Sequence, residues 1–241
     1  MKSSNSSILL SIVSPVYRAE DIVDELVKQI IAATEQVTPH FEVVLVEDGS
    51  PDKSWEKIEA NCRKDERVKG LRLSRNFGQY PAIMAGLKAA KGEYVIVMDC
   101  DLQDDPVYIP TLFEKVKKED WDIVFTYAKQ HNQSLMRRFT SKGYNLLLKF
   151  LADYEGFDRH VRNYSIIKRK VVDSLLQFND EERHYLMVLR WLGFQHDFME
   201  IEHKSRAEGG SSYSFIKLFQ MAVTGITYQS LKLLHLSIYM A

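Results

Sequence analysis

The chain has 241 residues, with 32 Lys and Arg against 33 Asp and Glu and a formal net charge of −1. This balance excludes a protein whose whole surface attracts nucleic acid. Hydrophobic residues make up 45% and charged residues 27%, which is typical of a globular chain with a full core rather than a disordered one. Two cysteines are too few for a disulfide scaffold or a zinc cluster and indicate a reducing compartment, with the cytoplasm as the default.

Short β-branched segments alternate with helical patterns through the first half of the chain. The predicted strands cover residues 8–13, 41–46, 68–73, 93–98 and 122–126. The predicted helices cover residues 20–35, 51–65, 80–90 and 106–118. This alternation predicts βαβ units in a mostly parallel, Rossmann-like sheet flanked by helices. Ligands bind such sheets at the carboxyl ends of the strands, so the residues that follow each strand are the candidates for function.

The loop after the fourth predicted strand is the most acidic of these candidates. Asp99 and Asp101 flank Cys100, and Gln103 follows two residues later. Carboxylates this close repel each other unless one is protonated or a cation lies between them. Oxygen ligands without a His or Cys pattern suit Mg²⁺ or Mn²⁺, which commonly complete their shell with phosphate oxygens and water. The loop therefore favours a metal-bound diphosphate, with an acidic Asx turn that caps the next helix as the open alternative.

Part of the loop chemistry has a simpler explanation as helix capping. Ser50 before Pro51 predicts an N-cap, and Asp104 and Asp105 before Pro106 predict another. Capping does not account for Asp99 or Asp101.

A series of motifs resembles the family-two glycosyltransferases of the GT-A fold, and within them the polyprenyl-phosphate glycosyltransferases, which include dolichol-phosphate mannose synthase. The matching segments are Pro15-Val16-Tyr17 with Glu20, and residues 47–50, 73–78, 85–87, 99–104, 191–194 and 206–213. Each motif alone is weak, whereas their order and spacing together are specific. The resemblance implies an inverting hexosyltransferase that uses a nucleotide-sugar donor in cell-envelope biogenesis, with a UDP-hexose favoured.

The resemblance also implies roles for individual residues. The implied nucleotide-sugar contacts are Pro15, Tyr17, Glu20, Glu47, Asp48, Gly78, Gln79, Asp99, Cys100 and Asp101. The implied metal ligands are Asp99, Asp101 and Gln103, and the implied catalytic residues are Asp99, Asp101 and Arg206. We interpret Cys100 as a packing residue, because the carboxylates beside it keep its thiol protonated.

A polyprenyl phosphate is the acceptor that the resemblance implies. Arg137 and Ser141 match the phosphate-binding pair of the family, and Lys129 stands where relatives carry Arg. A phosphate is already anionic at neutral pH and needs no general base, whereas a sugar hydroxyl does. The alternatives are a non-processive transferase onto a saccharide hydroxyl, with its base among residues 180–182, and an inactive nucleotide-binding scaffold.

The end of the chain predicts an association with the membrane surface. We expect a catalytic domain over residues 1–213 and an amphipathic helix over 214–241, since Ile216, Phe219, Val223 and Ile226 follow helical spacing. This helix either lies on the inner leaflet or packs on the sheet. No export signal or spanning segment is predicted. The resemblance implies transmembrane helices beyond this point in relatives, so we expect either a truncated chain or a short form recruited by a partner. We expect a location at the cytoplasmic face of the membrane and leave a homo-oligomer open.

Overall fold

The computed structural model describes residues 7–128, 161–177 and 185–202. The strands in these ranges are β1 (Leu10–Val16), β2 (Phe41–Glu47), β3 (Val68–Arg72), β4 (Tyr94–Val97), β5 (Ile123–Ala128), β6 (Val161–Lys168) and β7 (His196–Ile201). The helices are α1 (Val23–Thr34), α2 (Ser54–Lys64), α3 (Gln79–Ala89), α4 (Ile109–Lys118), α5 (Arg169–Leu176) and α6 (Tyr185–Trp191), with a 3₁₀ turn at Pro106–Tyr108.

The strands form one mixed sheet in the order β3-β2-β1-β4-β6-β5-β7. Strands β3, β2, β1 and β4 pair in parallel, β5 pairs in parallel with β7, and β6 runs antiparallel to β4. The predicted α/β architecture with a mostly parallel sheet is confirmed. Because β6 runs in the opposite direction, its amino end lies at the same edge as the carboxyl end of β4.

The core lies where helices cover the central strands. Every residue of β1 and β2 is buried, as expected for central strands covered on both faces. Helix α1 buries one stripe of side chains, and α4 buries Ile109, Leu112 and Val116. In α3, a Cβ at Gly86 would come within 2.4 Å of Val13, so glycine permits the close approach of this helix to the sheet.

Helices α1 and α2 begin three residues later than predicted. Helix α2 begins at Ser54, so the predicted N-cap at Ser50 is wrong; the Ser50 hydroxyl oxygen instead accepts the backbone N–H of Arg18 at 3.0 Å. Helix α1 begins at Val23, because the preceding residues form a turn closed by the Ile22 N–H on the Ala19 carbonyl.

The cap before Pro106 is partly as predicted. The side chain of Asp105 accepts the N–H of Val107 at 3.0 Å and caps the 3₁₀ turn, whereas Asp104 takes no part in the cap.

Strands β6 and β7 lie beyond the part of the chain for which strands were predicted. The predicted domain boundary at residue 213 and the amphipathic segment 214–241 lie outside the described residues. Within the described ranges, none of the helices combines the length and apolar character needed to cross a bilayer.

Gly49 provides a test of the turn that follows β2. Its φ is +64°, and an added Cβ would lie 2.3 Å from the Asn76 nitrogen. Gly49→Ala should lower the free energy of unfolding by at least about 2 kcal/mol, because backbone strain and a backbone clash combine. Gly193 has a similar φ of +70° with no atom within 4 Å of an added Cβ, so Gly193→Ala should cost only about 1 kcal/mol. Equal losses in urea unfolding would contradict this explanation.

Candidate active site

The candidate site lies at the edge of the sheet where β1, β2 and β4 end. Eleven of the predicted site residues lie there, in β1, β2, the start of α3 or the loops after β1, β2 and β4: Pro15, Tyr17, Glu20, Glu47, Asp48, Gly78, Gln79, Asp99, Cys100, Asp101 and Gln103. The predicted residues Lys129, Arg137, Ser141 and Arg206 lie outside the described residues, as do residues 180–182.

The loops after β1 and β2 are joined by hydrogen bonds. The Glu20 carboxylate accepts the N–H of Lys53 at 2.9 Å, and the Glu20 N–H donates to Asp52 at 3.2 Å. The N–H of Ala19 donates to the Ser54 hydroxyl oxygen at 2.9 Å. Tyr17 remains 42% exposed beside these bonds. The two loops predicted to hold the base and ribose are therefore one connected surface with an exposed aromatic ring.

Glu47 is a buried residue that holds the loop after β2. One of its carboxylate oxygens accepts the N–H of Ser50, and the other lies 3.3 Å from the Arg72 guanidinium. These contacts account for a buried carboxylate at this position, because the pairing offsets the cost of removing the charge from water. Its predicted contact with the nucleotide stays a prediction.

Asp48 connects the end of β2 to the loop before α3. Its two carboxylate oxygens accept the N–H groups of Phe77 at 2.7 Å and Gly78 at 2.9 Å. Asp48 itself is buried, and its N–H donates to the Val16 carbonyl at 2.9 Å. Gly78, with a φ of +99°, lets the chain turn into α3 at this point. The Asp48 carboxylate thus fixes the position of the residue that precedes Gln79.

Asp99 is held by two amide side chains. Gln79 Nε2 donates to Asp99 Oδ1 at 2.7 Å, and Asn163 Nδ2 approaches the same oxygen at 3.5 Å. Burial, followed by the negative charge of Asp101, raises the pKa of Asp99, whereas the two amides act in the opposite direction. The amides fix the orientation of the carboxylate without neutralising its charge.

Asp101 forms the Asx turn that was the alternative explanation of this loop. Its Oδ1 accepts the N–H of Gln103 at 3.1 Å, and Leu102 has a φ of +56°. The turn explains the local shape of the loop. It leaves the proximity of a second carboxylate, Asp99, unexplained.

Asp104 is a third carboxylate in the same loop, and it is fully buried. Neither of its oxygens has a hydrogen-bond partner among the described residues, although Arg162 Nε lies 3.5 Å from Oδ1. Burial and the charges of Asp99 and Asp101 raise the pKa of Asp104 to about 7, against the opposing effect of Arg162.

Cys100 packs against the core, as predicted. Burial raises the pKa of its thiol to about 11, and the adjacent carboxylates add to the rise, so the direction of the prediction was correct and burial is its main cause.

The donor set of this loop fits a hard divalent cation. Asp99 and Asp101 offer carboxylate oxygens at a point where negative charge is in excess, and Mg²⁺ commonly takes one or two carboxylates from a protein beside substrate phosphates. Within the described part of the chain, no group of three or more His, Cys, Asp or Glu side chains is arranged to hold a metal ion. Among the predicted metal ligands, this geometry thus supports the two carboxylates, Asp99 and Asp101.

Arg162 and Asn163 were not predicted, because no strand was predicted beyond residue 126. They lie at the beginning of β6, and the antiparallel direction of this strand brings its amino end to the site edge. A signal was present, because the polar pair Arg162-Asn163 precedes the apolar pair Ile166-Ile167.

The family model for glycosyl transferase family 2 matches residues 11–176, which is more than half of the chain. The chain belongs to this family. It is therefore a glycosyltransferase, as predicted.

Curated relatives align over nearly the whole chain. It is 36% identical over 242 residues to an undecaprenyl-phosphate 4-deoxy-4-formamido-L-arabinose transferase from Shewanella sediminis, covering 97% of this chain and 71% of the relative. A protein of the same name from Salmonella paratyphi A is 32% identical over 236 residues, covering 94% of this chain and 70% of the relative.

Solved structures share the fold at low identity. Glucosyl-3-phosphoglycerate synthase from Mycobacterium tuberculosis, crystallised with Mn²⁺, UDP and phosphoglyceric acid, has a TM-score of 0.62 at 15% identity, covering 89% of this chain and 75% of that one. TarS from S. aureus has a TM-score of 0.55 at 19% identity, covering 79% of this chain and 58% of that one. The predicted GT-A fold is confirmed.

The Asp48 carboxylate can be tested by Asp48→Asn. The substitution replaces one acceptor oxygen by an NH₂ group, which leaves an N–H of Phe77 or Gly78 without its acceptor. We expect the free energy of unfolding to fall by about 1–3 kcal/mol in urea titrations. Asp21 is exposed, so Asp21→Asn should change it by less than about 0.5 kcal/mol. An equal effect at the two positions would contradict the assigned role.

The buried Asp104 carboxyl predicts a pH dependence of stability. Its pKa is raised from 3.8 to about 7, so the folded protein binds this proton more tightly than the unfolded chain does. The corresponding stabilisation is complete below pH 3.8 and is lost as the pH rises through about 7. Between pH 5 and pH 8 without divalent metal, the wild type should therefore lose at least about 1 kcal/mol relative to Asp104→Asn.

The matched control for this pH dependence is Asp105→Asn, which keeps a cap-forming side chain in the same loop. Asp105→Asn retains the Asp104 carboxyl, so the difference in its free energy of unfolding from the wild type should not change between pH 5 and pH 8 as the Asp104→Asn difference does. A wild-type stability that stays parallel to that of Asp104→Asn from pH 5 to pH 8 would refute the raised pKa.

Proposed function

We propose that this chain transfers a sugar from a nucleoside-diphosphate donor, with a UDP-hexose as our sequence-based choice, to a polyprenyl phosphate with the help of Mg²⁺ or Mn²⁺. The observation that carries the proposal is the pair Asp99 and Asp101, two mutually repelling carboxylates. They follow β4 at the edge where the predicted donor loops end. An acidic pair at this place suits a cation and the diphosphate that the cation would neutralise.

The predicted donor-binding residues form a continuous network. Asp48 fixes the backbone at Gly78, and the next residue, Gln79, donates to Asp99. A nucleotide whose base and ribose lie on the loops after β1 and β2 would therefore have its phosphates directed toward the acidic loop. This geometry supports assigning nucleotide contacts to Pro15, Tyr17, Glu20 and Asp48.

The proposed reaction is a single displacement with inversion. A phosphate oxygen of the acceptor forms a bond to the anomeric carbon, and the bond from that carbon to the diphosphate breaks, with its electron pair leaving on the nucleoside diphosphate. When bound, the metal ion would stabilise the charge that develops on this leaving group. Asp99 and Asp101 would hold the ion, and Gln79 would keep Asp99 oriented toward it.

The choice of acceptor rests on the relatives and on chemistry. The two curated relatives are named as undecaprenyl-phosphate sugar transferases, and their alignments cover 97% and 94% of this chain. A phosphate acceptor is a nucleophile at neutral pH without a general base. Arg137, Ser141, Lys129 and Arg206 are our candidates for contacting the phosphate groups.

We also propose that the protein works at the cytoplasmic face of the membrane, since its acceptor would be a lipid. Residues 1–213 would form the catalytic domain, and residues 214–241 would lie along the inner leaflet. This arrangement follows the helical spacing of apolar residues in that segment.

Transfer of labelled sugar tests the reaction directly. Labelled nucleotide sugars, both UDP-hexoses and a UDP-linked 4-formamido pentose, are offered with undecaprenyl phosphate and Mn²⁺. We expect label in the organic phase from one of these donors. Asp101→Asn should reduce the rate at least about 100-fold, because a carboxylate of the candidate cation site is lost. Asp105→Asn, the same change in the same loop, should retain most of the rate.

The location of the label separates the competing functions. Label that stays in a water-soluble saccharide would favour the hydroxyl-acceptor transferase and contradict the lipid-phosphate proposal. No transfer from any donor, together with nucleotide binding, would favour the nucleotide-binding scaffold.

Metal removal gives an independent prediction. UDP or GDP should raise the melting temperature of the wild type in Mn²⁺ or Mg²⁺, because a ligand that binds only the folded state stabilises it. We expect EDTA or Asp101→Ala to abolish most of this increase, which differential scanning fluorimetry can measure. A nucleotide-induced increase that is the same with EDTA would contradict the metal assignment.

A further inference from the structure

The first residues of β6 contact the acidic loop at three separate points. Arg162 Nε lies 3.5 Å from Asp104 Oδ1, Asn163 Nδ2 lies 3.5 Å from Asp99 Oδ1, and the Tyr164 hydroxyl donates to the Asp105 carbonyl at 3.3 Å. We call these three consecutive residues, Arg162, Asn163 and Tyr164, the β6 brace.

The register of the sheet explains why these contacts form. Val97 of β4 pairs with Ser165 of β6 in an antiparallel ladder. Continuing that register two residues beyond the ladder brings Asn163 opposite Asp99. Neighbouring side chains of a strand point to opposite faces, so Asn163 reaches the loop from one face while its two neighbours reach it from the other.

Hydrogen bonds join the β6 brace and the residue that follows it to buried groups of neighbouring elements. Tyr164 is fully buried, and its carbonyl accepts the hydroxyl of Thr126 in β5 at 2.7 Å. The next residue, Ser165, shares a hydrogen bond of 3.1 Å with the buried Tyr185 hydroxyl. A contact from β6 to the loop can therefore fix the loop relative to the sheet.

Electrostatics make such a support necessary. Asp99, Asp101 and Asp104 lie within six residues, and their like charges favour an open loop. Arg162 places a cation against the most buried of the three carboxylates, whose side chain is only 1% exposed. The charge of Arg162 faces Asp104 and also lowers the pKa of Asp99, in addition to any effect that it has through the shape of the loop.

We propose that the β6 brace positions the acidic loop for the metal-bound nucleoside diphosphate, with Arg162 acting through Asp104 and Asn163 acting directly on Asp99. This inference rests on the proposed function, since the ligand it concerns is the donor's diphosphate. It assigns to β6 residues a role in donor binding that requires no contact between Arg162 and the nucleotide.

A double-mutant cycle on Arg162 and Asp104 tests the proposal. The readout is the dissociation constant of UDP, or GDP if the wild type prefers it, measured calorimetrically with and without Mn²⁺. We expect Arg162→Met and Asp104→Asn each to weaken binding with Mn²⁺ about tenfold, as is typical for residues that orient metal ligands. The double variant should also be weakened only about tenfold, because both changes remove one contact.

Further variants separate positioning from general stability. Arg162→Lys keeps the charge and should bind within about threefold of the wild type, and Asn163→Ala should weaken binding with Mn²⁺ severalfold. Binding measured without metal should change less than about twofold in every variant. Arg169 also lies beside β6 but bonds the Gly92 carbonyl at the other end of β4, so Arg169→Met should leave nucleotide affinity unchanged. If Arg162→Met does not fold, Arg162→Lys and Asn163→Ala carry the test.

Three results would overturn the proposal. If Arg162→Met binds nucleotide with wild-type affinity, the ion pair has no role in donor binding. If the double variant is weakened about 100-fold, the two residues act independently. Equal weakening with and without Mn²⁺ would indicate a general structural effect. A wild-type protein that binds neither nucleotide in Mn²⁺ would instead refute the proposed function, and that result is distinguished by the wild type alone.

Discussion

Like charges at the end of β4 are the constraint on which this edge of the sheet depends. Asp99, Asp101 and Asp104 follow one another within six residues, and burial makes their mutual repulsion more costly. The carboxylates are held by an amide from α3, by an amide and a guanidinium from β6, and by a local Asx turn. These contacts fix the shape of the loop, but they do not compensate all of its negative charge. A divalent cation with its diphosphate is the ligand that such a surplus suits.

The same edge joins the donor loops to the acidic loop through the backbone. Asp48 holds the N–H of Gly78, and the adjacent Gln79 holds Asp99. Because Gly78 and Gln79 are adjacent in the chain, a displacement of the loop after β2 would also move the amide that contacts Asp99. Glu47 and Glu20 fix the loops on which the base and ribose would lie. In our proposal, nucleotide binding and cation binding are parts of a single site.

Much of this arrangement could be predicted from the sequence, because alternating apolar segments specify the parallel strands and the polar residues after them define the edge. Asp99 and Asp101 were found in this way, whereas Gln79 was implied by the family resemblance. Ser50 was misassigned as a cap since a sequence does not show that its hydroxyl has a partner in the loop after β1. Arg162 and Asn163 were missed because their place at this edge depends on β6 running antiparallel to β4; the polar and apolar pairs of this segment indicate a strand but not its direction.

The central claim is that Asp99 and Asp101 hold a cation that contacts the phosphates of the donor nucleotide. Anomalous diffraction at the manganese edge, from crystals grown with Mn²⁺ and UDP or GDP, examines this claim most directly. We expect one strong anomalous peak between the two carboxylates and the nucleotide phosphates. A nucleotide bound in clear density with its phosphates away from this loop, and no peak beside Asp99 or Asp101, would contradict it.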